Sequence, residues 1–251
     1  MLLCHVLGRN AAYLTAHAGR ALTSEQMRAY QACTARRGAG EPVAYITGRR
    51  EFYGLELHVT PAVLIPRPET ELLVDLALAR IPIAEEWHVL DLGTGSGCIA
   101  LSIAHARFRS RITAIDSAPG ALAVARENAQ ALGIENVAFA EGNWFAPVAG
   151  QRFELIVSNP PYVAAHDPHL LQGDLRYEPR AALIGGVDGL DALRLIVAGA
   201  PAHLRPSGAL LLEHGYDQGA ACRILLEGAG FHAVRTWQDL AGRERVSGGV
   251  A

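Results

Sequence analysis

An apolar strand, His88-Val89-Leu90-Asp91-Leu92, runs into Gly93-Thr94-Gly95-Ser96-Gly97 and then directly into a helix-forming run from Cys98 to Ala104. A strand, a glycine turn and a helix in immediate succession constrain the fold more than any other feature of the chain. Glycine accepts backbone conformations closed to other residues and lets a ligand come close, while the helix start offers free N–H groups. The same alternation continues downstream. Strands are expected at Arg111–Asp116, Val137–Ala140, Phe153–Ser158 and Ala209–Glu213, with helices at Ala121–Leu132, Asp188–His203 and Gln218–Glu227. Phe231–Thr236 and Glu244–Val246 read as a closing strand pair. Strands alternating with helices predict a mostly parallel α/β sheet with right-handed crossovers.

The part before this alternation has a different character. Residues 1–41 are rich in Ala, Leu, Gln and Arg and read as a small N-terminal helical domain. Thr23, three residues before Gln26, has the spacing of a capping box. Residues 42–65 are expected to form a hairpin linker, because Glu51 to Val59 alternate apolar and polar residues. Pro66-Arg67-Pro68-Glu69-Thr70 is a rigid turn that opens a helix from Glu71 to Arg80, and residues 66–251 form the main domain.

The bulk properties remove several function classes. At 251 residues, 50% of them apolar and 19% charged, the chain has the balance of a soluble enzyme. No apolar run approaches the roughly 18 residues of a membrane span, and the N-terminus lacks the pattern of a signal peptide, so a cytoplasmic location is expected. The four cysteines and ten histidines form no metal-like cluster, so no metal is expected. All 22 cations are arginine, and the net charge is −3. That balance counts against direct nucleic-acid binding, which usually needs a basic face. A monomer is expected.

Gly93, Thr94, Gly95, Ser96 and Gly97 are the first candidate ligand-binding residues. A dinucleotide loop would need glycine where Cys98 stands. The actual spacing, Asp-x-Gly-x-Gly-x-Gly, resembles the loop that holds S-adenosylmethionine. Asp116 ends the next strand, where a carboxylate can accept from both hydroxyls of a ribose or cap the following helix. Asp91 either meets the ammonium of the cofactor's methionine part or braces the glycine turn. Trp144, after the third strand, either stacks on the adenine or packs in the core.

The second motif, Asn159-Pro160-Pro161-Tyr162, closes the fourth strand. The lone pair of an amide or aryl NH2 is delocalised, so the nitrogen must be held in line with the methyl donor. The Asn159 side-chain oxygen and the Pro160 carbonyl can each accept one N–H. The two prolines stiffen the turn, and Tyr162 offers a flat wall to a planar group. Asn159, Pro160 and Tyr162 are therefore the candidate catalytic residues. With Pro161 they form the candidate substrate site, and Asn159 also borders the cofactor.

Taken together, the two motifs resemble the S-adenosylmethionine-dependent (Rossmann-like) amino-methyltransferases. Alone they fit adenine N6, guanine N2 or the side-chain amide of glutamine. The flanking segments narrow the choice: Pro42 to Gly48, Glu51-Phe52-Tyr53-Gly54, Leu64 to Glu71, Asp174 to Pro179 and Glu213-His214-Gly215. All of these resemble the bacterial release-factor glutamine methyltransferases. The resemblance implies N5-methylation of the glutamine in the Gly-Gly-Gln motif of peptide chain release factors, with S-adenosyl-L-methionine as cofactor and the release factors as partners. It places Arg67, Glu69 and Thr70 near the cofactor and the cleft mouth, and Glu51 and Phe52 around the substrate pocket. The family pattern has aspartate where Asn143 stands. It also has more helix before the part matching Met1, so residues 1–41 are a shortened docking domain or the true start lies upstream. The rival readings are a nucleic-acid amino-methyltransferase and a cofactor-binding regulator without turnover.

Overall fold

A computed structural model describes all residues, Met1–Ala251. Helices α1 (Leu2–Leu7), α2 (Ala11–Ala16) and α3 (Ser24–Gly38) open the chain, followed by α4 (Val43–Thr47) and the hairpin β1 (Arg49–Phe52) and β2 (Leu55–His58). The capping box forms: Thr23 Oγ1 accepts from Gln26 N at 3.2 Å and Thr23 N donates to Gln26 Oε1 at 3.0 Å. The expected hairpin linker is thus only partly a hairpin. Its first residues form α4, whose apolar Tyr45 and Ile46 are buried. Strand alternation drew attention to residues 51–59 and gave no hint of a one-turn helix before them.

The main sheet contains β3 (His88–Leu92), β4 (Arg111–Asp116), β5 (Val137–Glu141), β6 (Phe153–Ser158), β7 (Leu204–Glu213), β8 (His232–Gln238) and β9 (Glu244–Val250). Their spatial order is β5-β4-β3-β6-β7-β9-β8. The first five run parallel, and β9 is antiparallel to both of its neighbours. Two helix layers cover the sheet. Because side chains alternate along a strand, Val89, Leu155, Val157 and Leu211 meet one layer. That layer holds α5 (Glu71–Arg80), α6 (Cys98–Ala106) and part of α7 (Pro119–Leu132). Leu90, Ile156, Leu210 and Leu212 meet the other layer, α8 (Asp191–His203) and α9 (Gly219–Gly228). No helix is long and apolar enough to cross a membrane.

Most of the expected elements appear within three residues of their expected ends. The exceptions are β7, which starts five residues earlier than expected, and β9, which runs four residues further. The β7 extension carries Pro206 and a left-handed Ser207 (φ 63), beside a register irregularity against β6. An irregular strand of this kind shows no alternation in sequence.

The chain leaves β3 toward β4 on one side and returns to β6 on the other. This reversal opens a crevice at the carboxyl ends of β3 and β6, where ligands bind in open α/β sheets. Both sequence motifs lie at that crevice. A smaller apolar cluster, Tyr45, Val59, Val63, Ile65, Ala121 and Val124, fastens α4 and the segment after the hairpin to α7.

Candidate active site

Backbone bonds form much of the glycine loop, and Asn128 Nδ2 donates to Ser96 O at 2.9 Å. Gly93 N and Thr94 N both donate to Ile115 O, at 2.8 and 2.9 Å, and Gly97 N donates to Thr94 O at 2.8 Å. All three glycines take left-handed φ values, of 73, 57 and 83°. Gly97 has a second constraint. A Cβ there would meet Leu101 Cδ1 at 3.0 Å and the Ala125 Cβ at 3.3 Å, so its role is the close approach of α6 and α7.

Asp116 reaches across to this loop. Its Oδ2 accepts from Gly95 N at 2.8 Å and its Oδ1 from Ala118 N at 2.9 Å. The carboxylate thus braces the loop and the start of α7 at once, and each oxygen keeps a lone pair for a ligand. Asp91 is fully buried, and its Oδ2 accepts from Thr94 Oγ1 at 2.6 Å. Burial, with Asp116 nearby, raises its pKa to about 7 against the opposing Thr94 bond. Oδ2 thus braces the turn, while Oδ1 has no partner within the protein.

A cleft open to solvent lies over the loop. Gly93, Thr94, Gly95, Ser96, Asp116, Trp144 and Asn159 line it, as does Pro161. Gly97, Pro160 and Tyr162 do not line it. Gly97 is engaged in helix packing, Pro160 is buried, and the Tyr162 hydroxyl turns inward to Glu213 Oε1 at 3.3 Å. Trp144 borders the cleft and packs against the core beneath β6. It does so with a left-handed φ of 47°, a strained conformation for a bulky residue. Asn143 is exposed on the same rim.

The segment of 62–67 forms one wall and Pro179, Ala181 and Ala182 another. Arg67 Nη2 donates to Glu178 Oε1 at 2.5 Å, tying these walls together. Burial raises the Glu178 pKa, and Arg67 opposes the rise. Arg67 and Thr70 line the cleft as expected. Glu69 is exposed beside it, and Glu51 and Phe52 are elsewhere: Phe52 fills the core and Glu51 Oε1 accepts from Gly54 N in the hairpin turn at 2.8 Å.

Asn159 Nδ2 donates to Thr70 Oγ1 at 3.1 Å. That bond commits the donor end of the amide and leaves the acceptor end, Oδ1, for the cleft. Behind the turn, Gln218 Nε2 donates to Tyr162 O at 3.0 Å. Gly185 and Gly189 pack so closely that a Cβ would lie 2.4 Å from Pro161 O and 2.3 Å from Tyr162 O respectively. Sequence reasoning missed these supports. Gln218 was read only as a helix start, and the two glycines belong to no motif with recognisable chemistry.

Comparison with known proteins agrees with this architecture. A family model described as the methyltransferase small domain matches residues 69–173, and one described as the PrmC N-terminal domain matches residues 1–48. Among solved structures, a Thermus thermophilus 16S rRNA N2 G1207 methyltransferase superposes with a TM-score of 0.60 at 22% identity, over 80% of this chain and 49% of that one. A methyltransferase from Pyrococcus furiosus gives 0.59 at 19% identity, over 86% and 96%. These two likenesses establish the fold. Sequence relatives are much nearer. The release factor glutamine methyltransferase of Xylella fastidiosa strain Temecula1 is 54% identical over 248 residues, 99% of this chain and 90% of that protein. The protein of the same name from Burkholderia pseudomallei is 53% identical over 255 residues, again 99% and 90%. With identity of this level along nearly its whole length, and with a glycine loop and an Asn-Pro-Pro-Tyr turn meeting in one cleft, the chain belongs to the release factor glutamine methyltransferase family.

Proposed function

We propose that this protein transfers a methyl group from S-adenosyl-L-methionine to the side-chain amide N5 of the glutamine in the Gly-Gly-Gln motif of peptide chain release factors. It is read as a cytoplasmic, monomeric enzyme. One observation carries the chemistry: the Asn159 amide is pinned through Nδ2 to Thr70, so its oxygen is a preset acceptor at the edge of the cofactor cleft. An acceptor there suits an NH2 donor. The glutamine substrate comes from family membership.

The cleft fits the cofactor. Asp116, on the cleft wall, can take up a diol. When bound, the cofactor supplies an electrophilic methyl group on a positively charged sulfur. Gly93, Thr94, Gly95, Ser96 and Trp144 form the walls that receive it, with Gly97 setting the loop's packing.

On the substrate side, Asn159 Oδ1 and the Pro160 carbonyl each accept one N–H of the glutamine amide. The nitrogen lone pair then faces the methyl group. Pro160 and Pro161 keep the acceptors from relaxing, so little reorganisation accompanies the transfer. Tyr162 presents its ring to the planar amide, with its hydroxyl anchored at Glu213. After transfer the nitrogen is strongly acidic and loses its proton readily, so no strong base is required.

Mass spectrometry of release factor incubated with the enzyme and cofactor tests this reading: a gain of CH2 on the Gly-Gly-Gln glutamine is expected. Labelling of DNA or ribosomal RNA with none on release factor would replace it with the nucleic-acid alternative. Cofactor binding without transfer to any of them would favour the regulator.

A further inference from the structure

Asn128 lies on α7 and is 2% exposed, and its amide is fully engaged by backbone from two other parts of the chain. Its Oδ1 accepts from His58 N at 2.6 Å. Its Nδ2 donates one hydrogen to His58 O at 3.0 Å and the other to Ser96 O at 2.9 Å. The orientation of the amide is forced, because an N–H can only donate and a carbonyl can only accept.

Both ends of this link bear on the cofactor cleft. Ser96 lines the cleft, and the peptide from Ser96 to Gly97 is held on both sides. Asn128 takes its carbonyl, and its N–H donates to Thr94 O at 2.8 Å. His58 ends β2, and the chain then runs into the cleft wall at Ala62, Val63 and Leu64. The cluster of Val59, Val63, Ala121 and Val124 seats this segment on α7. Apolar packing has no direction, so the Asn128 bonds fix where along α7 the strand end sits. Glu127, the preceding residue, brings Oε2 to 3.1 Å from His58 Nδ1, an exposed contact to the same strand end.

Resting on the cofactor reading alone, whatever the substrate, we propose that Asn128 is a positioning residue for S-adenosylmethionine. It ties the floor of the cleft, at Ser96, to the strand end that carries the wall, so that floor and wall keep one spacing around the cofactor.

The test uses the intact protein, by calorimetric titration with S-adenosylmethionine and by single-turnover transfer to release factor at saturating cofactor. Asn128→Asp keeps the acceptor for His58 N but sets a second oxygen against two carbonyls. Its Kd for the cofactor should rise about 10-fold, the scale of one lost buried hydrogen bond, with one binding site per molecule. Asn128→Ala removes all three bonds and should give a similar rise. The transfer rate should fall by less than about 3-fold, because the contact serves bound cofactor and transition state alike. A merely structural residue would lower the number of binding sites per molecule and leave the Kd of the folded fraction at the wild-type value.

Hydrogen exchange on the wild type needs no variant. By linkage, the cofactor strengthens the His58–Asn128 bond by the factor that the bond lends to the cofactor. Binding should therefore slow exchange at His58 N about 10-fold more than at Phe231 N, which donates to Leu226 O away from the cleft lining.

Unchanged Kd in the variants, fewer sites at the wild-type Kd, a rate that falls more than the affinity, or equal slowing at His58 and Phe231 would each overturn the proposal. Should neither variant fold, the exchange measurement decides. Failure of the wild type to methylate release factor would overturn the substrate reading, and the Kd and exchange results still judge Asn128. A wild type that binds no S-adenosylmethionine overturns both.

Discussion

The two halves of the cleft are built in opposite ways. On the cofactor side, backbone groups do most of the holding, helped by Asp116 on Gly95 N, Asn128 on Ser96 O and Asp91 on the Thr94 hydroxyl. On the substrate side, side chains from distant parts of the chain hold the turn. Thr70 is 89 residues from Asn159, Glu213 is 51 from Tyr162, and Gln218 is 56 from the same tyrosine. A backbone-built site tolerates most changes of side chain but depends on a few glycines. A site braced by side chains fails wherever one brace is removed.

The largest effect should come from the substrate half. Asn159→Ala removes the preset acceptor and should lower the single-turnover rate by at least about 10²-fold, as the loss of a preorganised polar contact does. Cofactor affinity, measured by calorimetric titration, should change far less. An equal loss in both would erase the distinction between the halves. Next is Asp116→Ala, which should weaken S-adenosylmethionine binding by about 1.5–3 kcal/mol. Unchanged affinity in a folded variant would remove Asp116 from the ligand and leave only its braces to Gly95 and Ala118. Gly97→Ala should act on stability. The left-handed conformation costs a non-glycine residue about 1–2 kcal/mol, and Leu101 and Ala125 crowd the added Cβ. For a chain of this size that lowers Tm by roughly 3–8 °C.

The smallest effect is a pH dependence. Burial raises the Glu213 pKa to about 7, above the roughly 4.3 of an unfolded glutamate. Between those values the folded state holds the proton more tightly. The carboxylate therefore favours folding less as pH rises, and its full desolvation cost is felt above pH 7. Glutamine does not titrate. The Tm of Glu213→Gln relative to wild type should therefore shift upward by a few degrees from pH 5 to pH 8. A constant difference would mean that the carboxylate keeps its ordinary pKa.

The same division decides what could be read in the sequence. Local rules write the cofactor half: an apolar strand, three glycines, a helix, and an acid at the end of the next strand. Its placement followed from short-range pattern, as did the Thr23 and Gln26 cap. The substrate half was legible only as a turn with suitable groups. That Asn159 is oriented by Thr70, and that the Tyr162 hydroxyl points away from the cleft, depends on which distant residues the sheet brings together. In sequence Glu213 looks like the end of an apolar strand, and its burial beside the Tyr162 hydroxyl has no local signature. The α4 helix escaped for another reason. Its five residues are too few to show a helical period, and its stability comes from Tyr45 and Ile46 packing rather than from propensity.

The short segment after Asn-Pro-Pro-Tyr also joins regions that the linear order keeps apart. Asp174 pairs with Arg37 at 2.9 Å, and Arg176 and Tyr177 both donate to Ala39 O at 2.7 Å. Glu178 holds Arg67, and Pro179 through Ala182 then continue along the cleft wall. Within nine residues the chain clasps the end of α3 and runs on along the cleft wall. The end of α3 and the cleft wall are thus fastened through one short stretch of chain, a single rivet between two plates.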